Sequence, residues 1–253
     1  IDEVYGIGGA SAIAAFAYGV PEINLEPVAM VTGPGNIFVA AAKRQLRGVI
    51  GIDSEAGPTE ILIVADESAN PRFIAADLIS QAEHDQNAGV VLVTDSASLI
   101  EEVQAELKVQ VSLTKNRDRI EASLGGIQSA LVLVADMNTA MAVANEYATE
   151  HLEIQTANSE ELARQVRHAG AVFVGAYSPV SLGDYLAGSN HVLPTGQQAK
   201  FSSGLSVFTF LRTQQHVTYS ADALAAVTDR LTVFSEAEKL SAHGRAGSIR
   251  LEG

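Results

Sequence analysis

Short apolar runs alternate with amphipathic segments along most of this chain, and that alternation limits the fold more than any other feature. Val28–Thr32, Ile61–Ala65, Val90–Thr94, Ala130–Ala135 and Ala171–Gly175 are runs of strand length. Between and beyond them, Ile37–Leu46, Pro71–Glu83, Ser98–Val109, Thr139–Ala148 and Ser159–His168 repeat apolar residues at helical spacing. Asn70 can cap a helix with Pro71 at its first position, and Asn158 can cap another with Glu161 three residues on. The pattern predicts an α/β fold of mostly parallel sheets covered by helices. Ligands in such sheets sit beyond the carboxyl ends of strands, which makes residues just after strands and on nearby helix ends the suspects. From about Phe201 the alternation stops, and Ala221–Glu238 reads as part of a helical tail that ends in a Gly/Arg segment.

The chain has 253 residues, 47% of them apolar, enough for a sizeable core. Its formal charge of −14 repels phosphates and anionic lipid heads, which argues against nucleic acid and membrane partners. No apolar stretch approaches the roughly 20 residues that cross a bilayer, and Ile1-Asp2-Glu3-Val4 has no leader character. A cytoplasmic location is expected. The absence of Cys excludes disulfides, thiolate metal ligands and a cysteine nucleophile. The chain does not begin with Met, and its glycine-rich start reads as the interior of a folded unit, so a fragment of a longer protein is expected.

Several groups could carry chemistry. Gln81 and His84, three apart at a predicted helix end, leave on one face and could share a metal ion, or His84 could simply favour the helix C-terminus. Glu150-His151 sets a carboxylate beside an imidazole, as general acid and base work requires, although a solvated helix end has the same residues. In the loop Ser181–His191, Asp184 could be a metal ligand and His191 could orient a carboxylate or alcohol; Asx-turn chemistry alone is the alternative. Gly33-Pro34-Gly35-Asn36 before a helix could present amides to a phosphate or be a plain turn, and it lacks the three-glycine dinucleotide fingerprint. Glu238 and His243 lie on the tail, and His168 and His216 have no supporting neighbours.

Taken in order, Gly8-Gly-Ala-Ser-Ala-Ile-Ala-Ala15, Gly33-Pro-Gly-Asn36, Ala56-Gly-Pro-Thr-Glu60, Ser80-Gln-Ala-Glu-His84, Thr149-Glu-His-Leu-Glu-Ile154, the Asp184 loop and Ala242-His243 resemble histidinol dehydrogenase across nearly the whole chain. The resemblance implies oxidation of L-histidinol to L-histidine through L-histidinaldehyde, with two NAD, at the end of histidine biosynthesis. It implies one Zn2+ per site on Gln81, His84, Asp184 and His243, and Glu150 and His151 as the water-activating and acid–base residues. Substrate contacts would come from Thr59, Gln81, His84, His151, Asp184, His191, Glu238 and His243, and an NAD contact from Asn36. It also implies an intertwined homodimer whose tail completes the partner's site. Two hydride transfers with water added between them need a base once cysteine is excluded, and a carboxylate-activated water supplies it.

Thr59 stands where the family often has Ser, and Ser11 where it has a Gln that contacts the cofactor. Family members are longer than this chain. Two incomplete Rossmann-like domains are therefore expected: residues 1–58 on the NAD side and 59–205 on the zinc and substrate side, with a helical dimerisation tail at 206–253. An inactive fragment, or a zinc- or imidazole-binding homologue without NAD chemistry, is the second reading. A zinc hydrolase is the third, but no His-Glu-x-x-His helix is present.

Overall fold

The computed structural model describes residues 1–252. It divides into two compact units, Ile1–Phe210 and the stretch from Leu211 onward. The first unit opens with α1 (Gly9–Tyr18), β1 (Met30–Val31), α2 (Ile37–Leu46) and β2 (Gly51–Ile52). β1 and β2 pair in parallel, and Ile13, Ala17, Val31 and Ile50 close a small core. Then come β3 (Glu60–Ala65), α3 (Pro71–Ala82), β4 (Gly89–Thr94), α4 (Ala97–Val111), α5 (Arg117–Leu124) and β5 (Ala130–Leu133). After them run α6 (Met137–Tyr147), β6 (His151–Gln155), α7 (Ser159–Ala163), β7 (Ala171–Val174) and α8 (Ser181–Tyr185). The second unit holds α9 (Ala221–Ala237) and α10 (Ser241–Ser248), which pack on each other.

All five strands of the main sheet are parallel, in the order β5-β4-β3-β6-β7. β3 is the hub, and the chain progresses outward from it in both directions, which makes the β3–β6 neighbourhood the switch point. The period of two in β3 sorts its side chains. Ile61 and Ile63 face Ile74, Leu78, Leu92 and Val103 on the α3 and α4 side, while Leu62 and Val64 face Met141, Ala144 and Leu152 on the α6 side. Burying each such aliphatic side chain stabilises the fold by about 1.5–3 kcal/mol. Among the described residues no helix is long and apolar enough to cross a membrane.

Of the two expected caps one forms, that of Asn70; Asn158 precedes α7, but its side chain accepts no capping hydrogen bond. Asn70 Oδ1 accepts from Arg72 N with Pro71 at the first position of α3, and Asp136 Oδ1 accepts from Thr139 N to start α6. Ser159–His168 is not one helix, as its spacing predicts. α7 stops at Ala163 because Asn145 Oδ1 accepts from Arg167 N at 2.7 Å and from His168 N at 3.3 Å, which draws that backbone out of the helical path. β6 is absent from the expected strands, although all five of its residues are buried. Its polar His151, Glu153 and Gln155 interrupt the apolar run, and these residues pair in register with Ile61, Ile63 and Ala65 of β3.

Gly170 joins this frame to Glu150. A Cβ there would lie 2.6 Å from the Glu150 carbonyl oxygen and 3.2 Å from Pro194 Cδ. Gly170→Ala is expected to lower the unfolding free energy by about 1–3 kcal/mol in urea titrations. Unchanged stability would show that β7 can shift freely against β6.

Candidate functional site

α3 runs antiparallel to β3 and β4, so its carboxyl end returns to the amino edge of the sheet. The starts of β3 and β6 lie at the same edge because the strands are parallel. Thr59, His84, Glu150 and His151 thereby come together in a cavity of about 640 Å3, along with Asp184 and His191 from the segment after β7. The candidate residues thus gather at the amino edge of the switch point, opposite to the carboxyl edge that general sheet rules favour. A groove of about 780 Å3 between α4, α5 and β5 holds none of them.

Glu150 and His151 are not a solvated helix end, since only 7% and 4% of their surfaces are exposed. α6 stops at Ala148, whose left-handed φ of 52° turns the buried chain directly into the pair. Thr59 Oγ1 donates to Glu150 Oε2 at 2.6 Å, and Glu60 N donates to the same oxygen at 3.0 Å. Thr59 Oγ1 in turn accepts from Gln81 Nε2. His151 Nδ1 lies 3.0 Å from the Glu60 carbonyl oxygen. A carbonyl can only accept, so Nδ1 carries the proton and Nε2 keeps its lone pair.

Burial lifts the Glu150 carboxyl to about 7 against the pull of Thr59 and the Glu60 N–H, and the Glu60 and Asp184 carboxylates push the same way as burial. Burial also lowers the basicity of His151, with the Glu60 carbonyl and Asp184 opposing and His84 assisting. The pair is therefore a carboxyl that changes charge near neutrality beside a neutral imidazole.

The remaining predicted residues divide by position. Gln81 is enclosed behind Thr59, while His84, just past α3, is exposed toward the cavity. Asp184 is half-buried in α8 and His191 is exposed. Asn36 lines the cavity, but its Oδ1 already caps α2 by accepting from Phe38 N and Val39 N. Ser11 is exposed on α1. Glu238 and His243 belong to the second unit, at the end of α9 and in α10, and both are exposed. Among the described residues no three His, Asp or Glu side chains gather closely enough to hold a metal by themselves.

Sequence reasoning passed over three polar residues on one side of the sheet. Asp77 of α3, Glu153 and Gln155 are 7%, 1% and 2% exposed, and Gln155 Nε2 donates to Glu153 Oε1 at 3.1 Å and to Asp77 Oδ2 at 3.4 Å. Burial raises both carboxyls above their ordinary range, and the Asp77 charge raises Glu153 further, so Glu153 is the carboxyl that keeps its proton. The one signal available in the sequence was polar residues at alternate positions within an otherwise apolar segment, Leu152, Ile154.

Fold and site together define a Rossmann-like α/β protein with a buried carboxylate–imidazole pair at its switch point. The family model described as histidinol dehydrogenase matches residues 1–251. The histidinol dehydrogenase of Leifsonia xyli is 58% identical over 252 residues, 100% of this chain and 58% of that protein. That of Thermobifida fusca is 59% identical, over 99% of this chain and 57% of its own length. The crystal structure of histidinol dehydrogenase from Elizabethkingia anophelis superposes with a TM-score of 0.91 at 34% identity, covering 100% of this chain and 57% of that one. The chain belongs to the histidinol dehydrogenase family and spans somewhat over half the length of these relatives.

A carboxyl held protonated in the fold favours folding less once the unfolded chain's carboxyl has ionised. Stability is therefore expected to fall as pH rises from about 5 toward 9, and Glu153→Gln, which mimics the neutral acid, is expected to flatten that slope in thermal melts. An undiminished slope in the variant would contradict a protonated Glu153.

Proposed function

We propose that this chain carries the acid–base and metal part of a histidinol dehydrogenase that oxidises L-histidinol to L-histidine through L-histidinaldehyde with two NAD. The observation that carries the reading is the buried Glu150–His151 pair, with His151 Nδ1 engaged by Glu60 and Nε2 left as the base. Its setting in a chain of this family supplies the substrate.

His84 and Asp184 offer an imidazole and a carboxylate to the same cavity, and Gln81, enclosed behind Thr59 with its amide nitrogen donating there, would bring its oxygen to the ion. These donors fit Zn2+ chemistry in the absence of thiolates, and His243 from the second unit of a partner copy would complete the set. When bound, zinc supplies an electrostatic anchor for the substrate's imidazole and amine. NAD would supply the acceptor for the two hydrides, and Asn36, which lines the cavity, would contact it.

His151 Nε2 takes the hydroxyl proton of the alcohol as the first hydride leaves carbon. Glu150 then takes a proton from the water that adds to the aldehyde while the protonated His151 returns its proton to the aldehyde oxygen, which gives the hydrate and restores the base. His151 takes a hydroxyl proton from this hydrate as the second hydride departs, leaving the carboxylic acid, which loses its own proton to become the carboxylate. Each alcohol thus consumes one water and two NAD and releases two NADH and three protons. Thr59, His191 and Glu238 hold the substrate, and the working form is an intertwined homodimer.

The test follows NADH from L-histidinol with the zinc-loaded protein at the full length of its relatives. Glu150→Gln is expected to reduce aldehyde oxidation by roughly 10²- to 10⁴-fold. In the parent protein that step should rise as pH passes upward through about 7, where Glu150 ionises. Zinc and imidazole binding without any NADH would leave a binding protein instead.

A further inference from the structure

Glu60 lies at the start of β3, between the two catalytic candidates, and has no assigned part in the reading above. Its backbone N–H reaches Glu150 Oε2 at 3.0 Å and its carbonyl reaches His151 Nδ1 at 3.0 Å. One residue therefore sets the direction of both groups. Its side chain turns to a different element, with Oε1 accepting from Gly196 N at 3.0 Å. The turn that carries Gly196 also carries Thr195, whose Oγ1 accepts from Gly57 N at 2.6 Å and which lines the cavity. Leu193, Pro194 and Thr195 are all buried. The second carboxylate oxygen, Oε2, is buried and has no hydrogen-bond partner.

The groups facing this carboxyl are few. Glu150 approaches from β6, the Tyr147 ring from the end of α6, and Gly196 N from the turn; β4 offers only Gly89 at this point. No Lys or Arg pairs with Glu60 among the described residues. Burial pushes the Glu60 carboxyl itself above its ordinary value, opposed by the Gly196 N–H, and while Glu60 is ionised a second negative charge on Glu150 is costly. Tyr147 shows the same effect, its hydroxyl acidity weakened first by burial and then by Glu60.

We infer that Glu60 is the positioning residue of the acid–base pair: its peptide aims Glu150 and His151, its side chain ties the 193–196 turn to the site, and its carboxyl stands beside Glu150 with no Lys or Arg paired to it. The inference rests on Glu150 acting as the base of the proposed reaction. Burial places the Glu150 carboxyl high, the Thr59 and Glu60 N–H donors pull it down, and the Glu60 charge adds a smaller push upward.

The experiment separates charge from reach and reads Glu150 without turnover. Glu150 is titrated by carboxyl 13C NMR in the protein, in Glu60→Gln and in Glu60→Asp. Glu60→Gln keeps an oxygen for Gly196 N and removes the charge, so the Glu150 titration should move to lower pH by roughly 0.5 to 1, and the acidic limb of kcat should follow. Glu60→Asp keeps the charge and gives up the reach to Gly196, so the titration should stay in place while amide exchange at Gly196 accelerates. An unmoved Glu150 titration in Glu60→Gln overturns the inference whether or not NADH is formed. Equal shifts in both variants would also overturn it, by showing a structural disturbance. A shifted titration without NADH formation would leave the inference standing and remove the proposed reaction.

Discussion

The site depends on the pairing of β3 with β6 at the point where the sheet reverses its direction of growth. In parallel strands the hydrogen bonds are slanted and each residue of one strand serves two of the other. At the amino edge this geometry presents the Glu60 N–H and C=O to Glu150 and His151, one to each. Backbone groups inside a sheet cannot rotate away, and they orient the carboxylate and the ring more firmly than side-chain partners could. The same pairing brings Thr59 against Glu150 and, through Thr59, the end of α3 with Gln81.

Beneath the site the sheet tolerates a polar seam where an apolar one would be expected. Asp77, Glu153 and Gln155 fill the space between α3 and β6, while Glu153 Oε2 and Gln155 Oε1 stay without partners. Burying such groups costs about 1–3 kcal/mol for each unmet bond, an expense that the fully buried aliphatics of β3 and β4 offset. A proton kept on Glu153 reduces that cost by removing one of the two charges. His151 stands at the head of this row, two residues before Glu153 on the same strand face.

How much of this was legible in the sequence follows from which physical signals are local. β3 and β4 announce themselves as uninterrupted apolar runs because both of their faces are covered. α3 and α6 carry caps that the sequence displays. β6 did not read as a strand because its α3-facing positions are His, Glu and Gln, and their polarity makes sense only once Asp77 is placed opposite. Glu150 and His151 were visible as a pair, but their burial and the fixed tautomer come from Glu60, 91 residues from His151 in sequence. Strand order is not written locally either, which is why the site was expected at the carboxyl edge. The family resemblance supplied the seven motifs together, but nothing in it singled out the Glu60 side chain.

The central claim is that the Glu60 carbonyl holds the proton of His151 on Nδ1 and leaves Nε2 as the base. Histidine 15N NMR of the protein, labelled and assigned through a His151→Gln control, reads this directly. At a pH above neutrality the account predicts a neutral His151 ring with a protonated Nδ1 and a bare Nε2. A ring protonated at Nε2, or an imidazolium persisting at that pH, would contradict it.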